Sequence, residues 1–440
     1  MEESLFIEFV KAVMPKLALY ISERENNTKN ARTYLHKTML RPVYSVDQKW
    51  EGSSANTIYV AADYVAMDSP LPIKKRSTMQ SSNGKLPKVG MKKPMKESEL
   101  NAVQLMRAQL NSLTGDKQKQ KRLQILNKIV DDEYACSVGI DEKNEATFLS
   151  GLSNGVALVN GDAEEEKATG LGLRVNYGYL ASNSFGVEVK DHVSKEDIDR
   201  VISKADMDGN ALAYLMLAKS TYNAIRHERW AAELVADFNN QTYTAETTLG
   251  VPSASKFDAA FEDEFGISFI KVDRTVIFEA NGERKSFKPW NADKLVFLTT
   301  NMVGSLVYSD LVEANNPVEG VSYQTVESYK LISRYHKNDP FAEITAGQAL
   351  VLPVIEGVDA IYTIDIKNAE EVNTTAESSD GSDTKVTING VAYNKAAFIT
   401  LLNKYVATRA NASDATVIAN FNKLSDEDEA ALLKEAESAK

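Results

Sequence analysis

The sequence predicts an α+β fold built in blocks, and three observations carry that reading. A strand-rich stretch leads into a long helical block near 96–135, where Leu100, Val103, Met106, Leu110 and Leu113 step at three or four residues. A compact α/β stretch follows over about 210–320, and strands return over 321–367. A polar run, NAEEVNTTAESSDGSDT, reads as a linker at 368–384 ahead of a small α+β domain at 385–440.

Residues 1–40 read as an amphipathic helix and an arm, with Leu5, Phe6, Phe9, Val13 and Leu17 about one face. The start lacks a basic n-region and a small-residue cleavage site, so it is expected to pack on protein rather than direct secretion. No run of about 18 apolar residues occurs, so no membrane span or membrane partner is expected.

Residues 41–96 read as a long two-stranded arm. SANTIYVAADYVAMDS has the β-branched and aromatic residues of a strand, and Pro70 and Pro72 end it. Asn83-Gly84 then marks a type I′ turn, since both residues tolerate positive φ. From Ser69 to Lys96 there are eight Lys or Arg and no Asp or Glu, in a chain of net charge −12. Without that segment 42 bases face 62 acids, so the body stands at −20. Such a body repels phosphate backbones through its overall field. Its tip has too few apolar residues for a core of its own, so the arm is expected to lie on another surface. The acidic body of another copy is the natural counterpart. Lys74, Lys75, Arg76, Lys85 and Lys88, with Asn83 and Gly84 at the turn, are the candidate contact residues.

After the long helix, residues 138–193 mix a helical piece, the acidic loop GDAEEEK and the strand-like GLRVNYGYLA. Ser194 and Asp197 form a capping box opening a helix to Ala205. LAYLMLA reads as a buried strand, and Ser220 or Thr221 as the cap of a helix with Ile225, Trp230, Leu234, Val235 and Phe238 on its apolar face. A helix near Phe257–Phe265, the strand ISFIKV, a hairpin about Asn281-Gly282 and the core strand KLVFLTT complete the unit. In the last domain, KVTINGVAY reads as a hairpin before helices near 396–408 and 426–439.

Candidate chemistry is thin. Cys136 is the single cysteine, which excludes an intramolecular disulfide and a thiolate zinc cluster. DMDGNALAYLML opens like a calcium loop but has Ala211 and Leu217 where the turn glycine and bidentate glutamate belong. His36, His192, His227 and His336 are scattered without ligand spacing. GLGLRV at Gly170 lacks the third glycine of a dinucleotide site, and no P-loop or nucleophile elbow occurs. The three tryptophans are assigned to packing. No cofactor, metal or catalytic residue is assigned, and the reading is a non-enzyme.

The order of blocks resembles the major capsid proteins of tailed phages with the Hong Kong 97-like fold, including those of phages of Bacteroidetes-type hosts. The likeness spans about residues 1–370. It rests on SPLPIKKR…GKLPK, on the long helix after MKESEL, on FKPWNADKLVFLTTNMVGSLVYSD with a Gly304-x-x-x-Tyr308 turn, and on YHKNDPFAEITAGQALVLPVI. The resemblance implies an extended loop at 41–96, a peripheral domain with a spine helix at 97–193 and 321–367, and an axial domain at 194–320. It implies a structural protein of the virion capsid, assembled in the host cytoplasm as hexamers and pentamers of an icosahedral shell. That shell encloses double-stranded DNA without sequence-specific binding. Portal, scaffold, protease and decoration proteins are the implied partners. Some relatives crosslink an extended-loop lysine to a neighbour's asparagine, which makes Lys74, Lys75, Lys85 and Lys88 candidates by location, against a default of solvated lysines. An encapsulin-like compartment shell and a cytoplasmic enzyme or anion-binding module stand as alternatives.

Overall fold

The computed structural model describes residues 4–17, 19–21, 33–54, 80–158, 174–244, 247–280, 283–370, 385–388, 391–394, 398, 401–402 and 421. The chain forms two compact units, Met1–Glu371 and Val372–Lys440. The expected linker, the helices near 396–408 and 426–439, the acidic loop GDAEEEK and the bulk of SANTIYVAADYVAMDS fall largely or wholly outside the described residues.

Along the first unit come α1 (Ile7–Val13), α2 (Leu35–Met39), β1 (Leu40–Tyr44), β2 (Lys49–Ser54), β3 (Gln80–Lys85), β4 (Lys88–Lys96), α3 (Glu97–Asn111) and α4 (Gly115–Asn154). Then follow β5 (Val156–Leu158), β6 (Arg174–Asn176), β7 (Ser184–Val187), α5 (Lys195–Met207), β8 (Tyr214–Ala218), α6 (Lys219–His227), α7 (Arg229–Phe238) and α8 (Ala254–Phe265). The rest is β9 (Ser268–Val272), β10 (Val276–Ala280), β11 (Glu283–Phe287), β12 (Lys294–Leu298), β13 (Gly304–Ser309), α9 (Val312–Asn315), β14 (Ser322–Val326), β15 (Lys330–Lys337), β16 (Ala342–Ile355) and β17 (Ile361–Ala369). In the second unit β18 (Lys385–Ile388) and β19 (Val391–Asn394) pair as the expected hairpin, and the buried Phe398 and Phe421 rings lie 5.8 Å apart.

Two sheets organise the first unit. The six-stranded sheet runs β1-β13-β16-β15-β14, with β4 also paired to β16. The five-stranded sheet runs β7-β17-β12-β8-β9. Alternate residues of its central strands face opposite cores. Leu215, Leu217, Leu295 and Phe297 pack under α5 to α8, whereas Met216, Ala218, Val296 and Leu298 join the core shared with the other sheet. Burial on both faces is why these strands read as unbroken apolar runs. A third core joins Phe6, Phe9 and Leu17 to Leu100, Val103, Ile125 and Ile129, so the N-terminal helix packs on its own chain.

The structure corrects several boundaries. The helical block is two helices, and α4 runs 40 residues to Asn154, ending at Gly155 with φ +68. Among the described residues only β2 and β3 form the arm, because β1 and β4 are strands of the six-stranded sheet. Residues 194–320 do not close a unit by themselves. Their β13 belongs to the six-stranded sheet, while β7 and β17 complete the five-stranded one from either side. Ser220 and Thr221 lie inside α6, whose N-cap is Ala218, and Thr221 Oγ1 donates to the Ala292 carbonyl at 2.5 Å instead. The helix expected there is broken into α6 and α7 at Glu228. The capping box of Ser194 and Asp197 is present, with Asp197 N donating to Ser194 Oγ at 3.1 Å.

Two glycines read as turn residues are strand residues. Asn83 and Gly84 pair with Glu51 and Trp50 inside the β2–β3 ladder. A Cβ on Gly84 would lie 2.8 Å from Trp50 Nε1, so the glycine makes room for the indole, not for a turn. Likewise Gly304 to Tyr308 is strand β13, and a Cβ on Gly304 would lie 2.0 Å from the Val354 carbonyl of β16. Backbone cannot give way there. Gly304→Ala is expected to lower stability by about 1–3 kcal/mol, read as a drop in the urea midpoint. An unchanged midpoint would contradict the close approach of β13 to β16.

Candidate inter-subunit surface

The arm begins and ends in the body. Trp50 and Leu86, at its root, are buried in the main core, and Leu86 N donates to the Gln48 carbonyl at 2.9 Å. Lys49 pairs with Lys85 and Ser54 with Gln80, and the connecting residues 55–79 lie outside the described part. Lys74, Lys75 and Arg76 belong to those connecting residues. The structure therefore brings together Asn83, Gly84 and Lys85 on β3 and Lys88 on β4.

Lys85 is exposed. Lys88 is exposed too but engaged within the chain, its Nζ 3.3 Å from Glu313 on α9. Glu313 also takes a hydrogen bond from Gln348. At half exposure such a pair contributes about 0–1 kcal/mol, so it is readily exchanged for another carboxylate. Lys88, Lys92 and Lys96 alternate along β4 and point away from α4, while Met91 and Lys93 point toward it. Lys93 is held by Asp132 at 2.9 Å. The outer row is thus a basic strip continuous with the arm's root.

What holds this root in place is a polar row that sequence reading missed. Glu133, Ser137, Asp141 and Glu145 stand four residues apart on α4, and all are buried. From β15, two strand residues on one face reach them. Lys330 Nζ lies 2.7 Å from Asp141 and 3.3 Å from Ser137 Oγ, and Arg334 Nη1 lies 3.4 Å from Glu133 Oε1. Arg334 Nε also donates to Glu343 on β16 at 3.0 Å, and Glu343 accepts from the hydroxyl of Ser4 and, at 3.3 Å, from the amide of Leu5.

The segment leading into β1 is seated on the same row. Leu35 N and His36 N donate to the two oxygens of Glu145 at 3.0 and 2.9 Å, and His36 Nδ1 lies 2.7 Å from Oε2. Lys37 reaches Asp141 at 3.0 Å and Glu327 at 2.9 Å. Burial pushes the Glu145 carboxyl up, but the hydrogen bonds from the His36 ring and from the amides of 35 and 36 outweigh it and hold it below its usual value. The four-residue spacing E-x₃-S-x₃-D-x₃-E was the available signal, since a polar row inside an otherwise apolar helix face demands partners.

Other candidates carry little chemistry. A cavity of about 410 Å³ lies where the chain crosses twice between the sheets, lined by Arg41, Thr299, Thr300, Met302, Glu356 and Gly357. The Glu356 carboxylate already takes the Ser305 hydroxyl. No group of three or more His, Cys, Asp or Glu able to hold a metal is found among the described residues. Asp208, in the calcium-like stretch, is taken up by Lys204 at 2.5 Å and Tyr362 at 2.9 Å. Cys136 is buried, and burial pushes its thiol up to about 12, which leaves it unreactive.

No family model matches the chain, and no curated protein matches it. Among solved structures it is similar to a protein assigned as the capsid protein of an E. coli CFT073 prophage, at 12% identity and TM-score 0.44, covering 80% of this chain and 98% of that one. It is similar to the capsid of cyanophage A-1(L), at 11% identity and TM-score 0.42, covering 78% and 95%. It is also similar to the SrpI encapsulin of Synechococcus elongatus PCC 7942, at 10% identity and TM-score 0.34, covering 79% and 95%. At these scores the function has to be read from the chain's own geometry.

Glu133 gives that geometry a pH dependence. Burial raises its carboxyl to about 7, against an opposing pull from Arg334. Its folded value lies above its unfolded value of 4.5, so its contribution is full below pH 4.5 and is lost as pH rises through 7. Relative to wild type, Glu133→Gln should therefore gain stability steadily between those limits, as measured by urea melts across pH. Parallel curves for the two proteins would show that Glu133 does not carry this cost.

Proposed function

We propose that this chain is the subunit of a closed protein shell of the Hong Kong 97-like kind, a phage major capsid protein. The observation that carries the reading is the arm. Two paired strands lead from a root between two strands of one sheet into a tip whose sequence is too poor in apolar residues for a core of its own, and such a pair is marginal unless it lies on another surface. The basic segment 69–96, which runs from the arm through β4, and the −20 balance of the remainder make another copy the matching surface. A patch on one face that meets a different patch on the next copy is a heterologous contact, and such contacts close into rings. Rings joined by arms multiply weak contacts into a stable wall.

The finer reading rests on the resemblance in the order of blocks. Hexameric and pentameric rings form an icosahedral shell in the host cytoplasm, and the shell encloses double-stranded DNA. The five-stranded sheet with its helices surrounds the ring axis, and α4 with the six-stranded sheet runs along the edge. The net-negative balance of the subunit exerts no overall attraction on that DNA. Portal, scaffold, protease and decoration proteins are the partners such a shell uses, and the second unit is an addition to it.

Electron microscopy of the co-expressed protein tests this. Closed shells are expected, filled with DNA when the remaining phage genes are present. Shells that instead enclose a protein cargo would identify a compartment, and a monodisperse monomer under assembly conditions would contradict the proposal. Replacing Lys74, Lys75 and Arg76 together by Ser should weaken assembly and leave the subunit folded.

A further inference from the structure

We propose that the tip of the α3–α4 helical hairpin, from Arg107 to Lys128, is a docking surface for the phosphate backbone of duplex DNA. The inference stands whether or not the chain assembles. This segment holds six bases, Arg107, Lys117, Lys119, Lys121, Arg122 and Lys128, against one acid, Asp116. Lys117, Lys121, Gln124 and Lys128 follow one another at four, three and four residues, so they share one face of α4 over about 16 Å. Nearly every residue from 111 to 124 is exposed, whereas burial of α4 begins at Ile125.

These bases are not used inside the chain. Among the described residues no carboxylate pairs with Lys117, Lys121, Arg122 or Lys128. Arg122 lies over the Phe9 ring at 6.0 Å, Lys119 reaches the fully exposed Asp116 at 3.8 Å, and Arg107 pairs with Glu8 at 3.0 Å on the surface. Asp131 and Asp132 close the row at its far end, and Asp132 is taken by Lys93. Nor do the bases serve the helix. Lys117, Lys119, Lys121 and Arg122 occupy the first two turns of α4, where cations oppose the helix dipole.

The composition decides between partners. Protein interfaces are enriched in aromatic residues and depleted in Lys at their centre. This segment has no aromatic residue; Lys alternates with Gln118 and Gln120 along 117–121, and Gln124 shares a face with Lys117 and Lys121. Lys and Gln side chains are common donors to phosphate and sugar oxygens. The acidic body does not cancel the patch, because at physiological salt fields fade over about 8 Å, and the tip projects beyond the buried part of α4.

The test uses dispersed full-length subunits and a labelled DNA duplex, with binding read by fluorescence anisotropy at a series of salt concentrations. Lys117→Gln, Lys121→Gln and Lys128→Gln together should weaken binding at least tenfold at low salt. They should also flatten the log–log salt slope by roughly two to three. The matching Lys→Arg triple should bind as wild type does, and thermal melts should show all three proteins folded. Wild-type protein that fails to bind the duplex at the lowest salt would overturn the proposal. So would a Gln triple with unchanged affinity and slope. A Gln triple that binds DNA normally but no longer self-assembles would also overturn it and assign the tip to a second copy.

Discussion

A row of four buried polar side chains on one helix sets the frame of this protein. Glu133, Ser137, Asp141 and Glu145 cannot be buried unpaired, because an isolated carboxylate in an apolar core costs several kcal/mol. Their partners come from two distant parts of the chain, β15 with Lys330 and Arg334, and the segment His36–Lys37 that leads into β1. A slip of β15 by one residue would turn both cations to the opposite face and leave the acids unmatched. The row therefore acts on register more than on net stability. It fixes where the six-stranded sheet lies along α4, and hence where β1 and β4 enter and leave the arm.

Placement of the arm is the functional outcome of that constraint. β1 is parallel to β13 and β4 is antiparallel to β16, so both ends of the arm are built into one sheet. Pro42 in β1 is at an edge strand, the place in a sheet where a missing N–H is tolerated. Between those fixed ends, Trp50 folds its indole over Gly84 and joins the core. A root built into the sheet and the core, leading into a segment poor in apolar residues from Ser69 on, is what a clasp between identical subunits requires.

The fold class and most helices were legible from periodicity and capping, because α5, α8 and the buried strands obey local rules. The arm was legible from charge. What was not legible came from long-range contacts. Asn83-Gly84 carries a strong local turn signal, yet the need to clear Trp50 from across the ladder overrides it. The division into sheets could not be read either, since β7 and β17 are 177 residues apart at their first residues and still neighbours. The acids of α4 look like an ordinary charged helix until β15 supplies cations to match them.

Hydrogen–deuterium exchange on dispersed and assembled protein tests the central claim most directly. The body should be slow to exchange in both states, with residues 129–149 of α4 the slowest because they carry the buried row. Residues 49–54 and 80–85 should exchange rapidly in dispersed subunits and become protected on assembly, when the arm gains a surface to lie on. Equal protection of the arm in the two states would contradict the account, because it would mean that the arm needs no second copy.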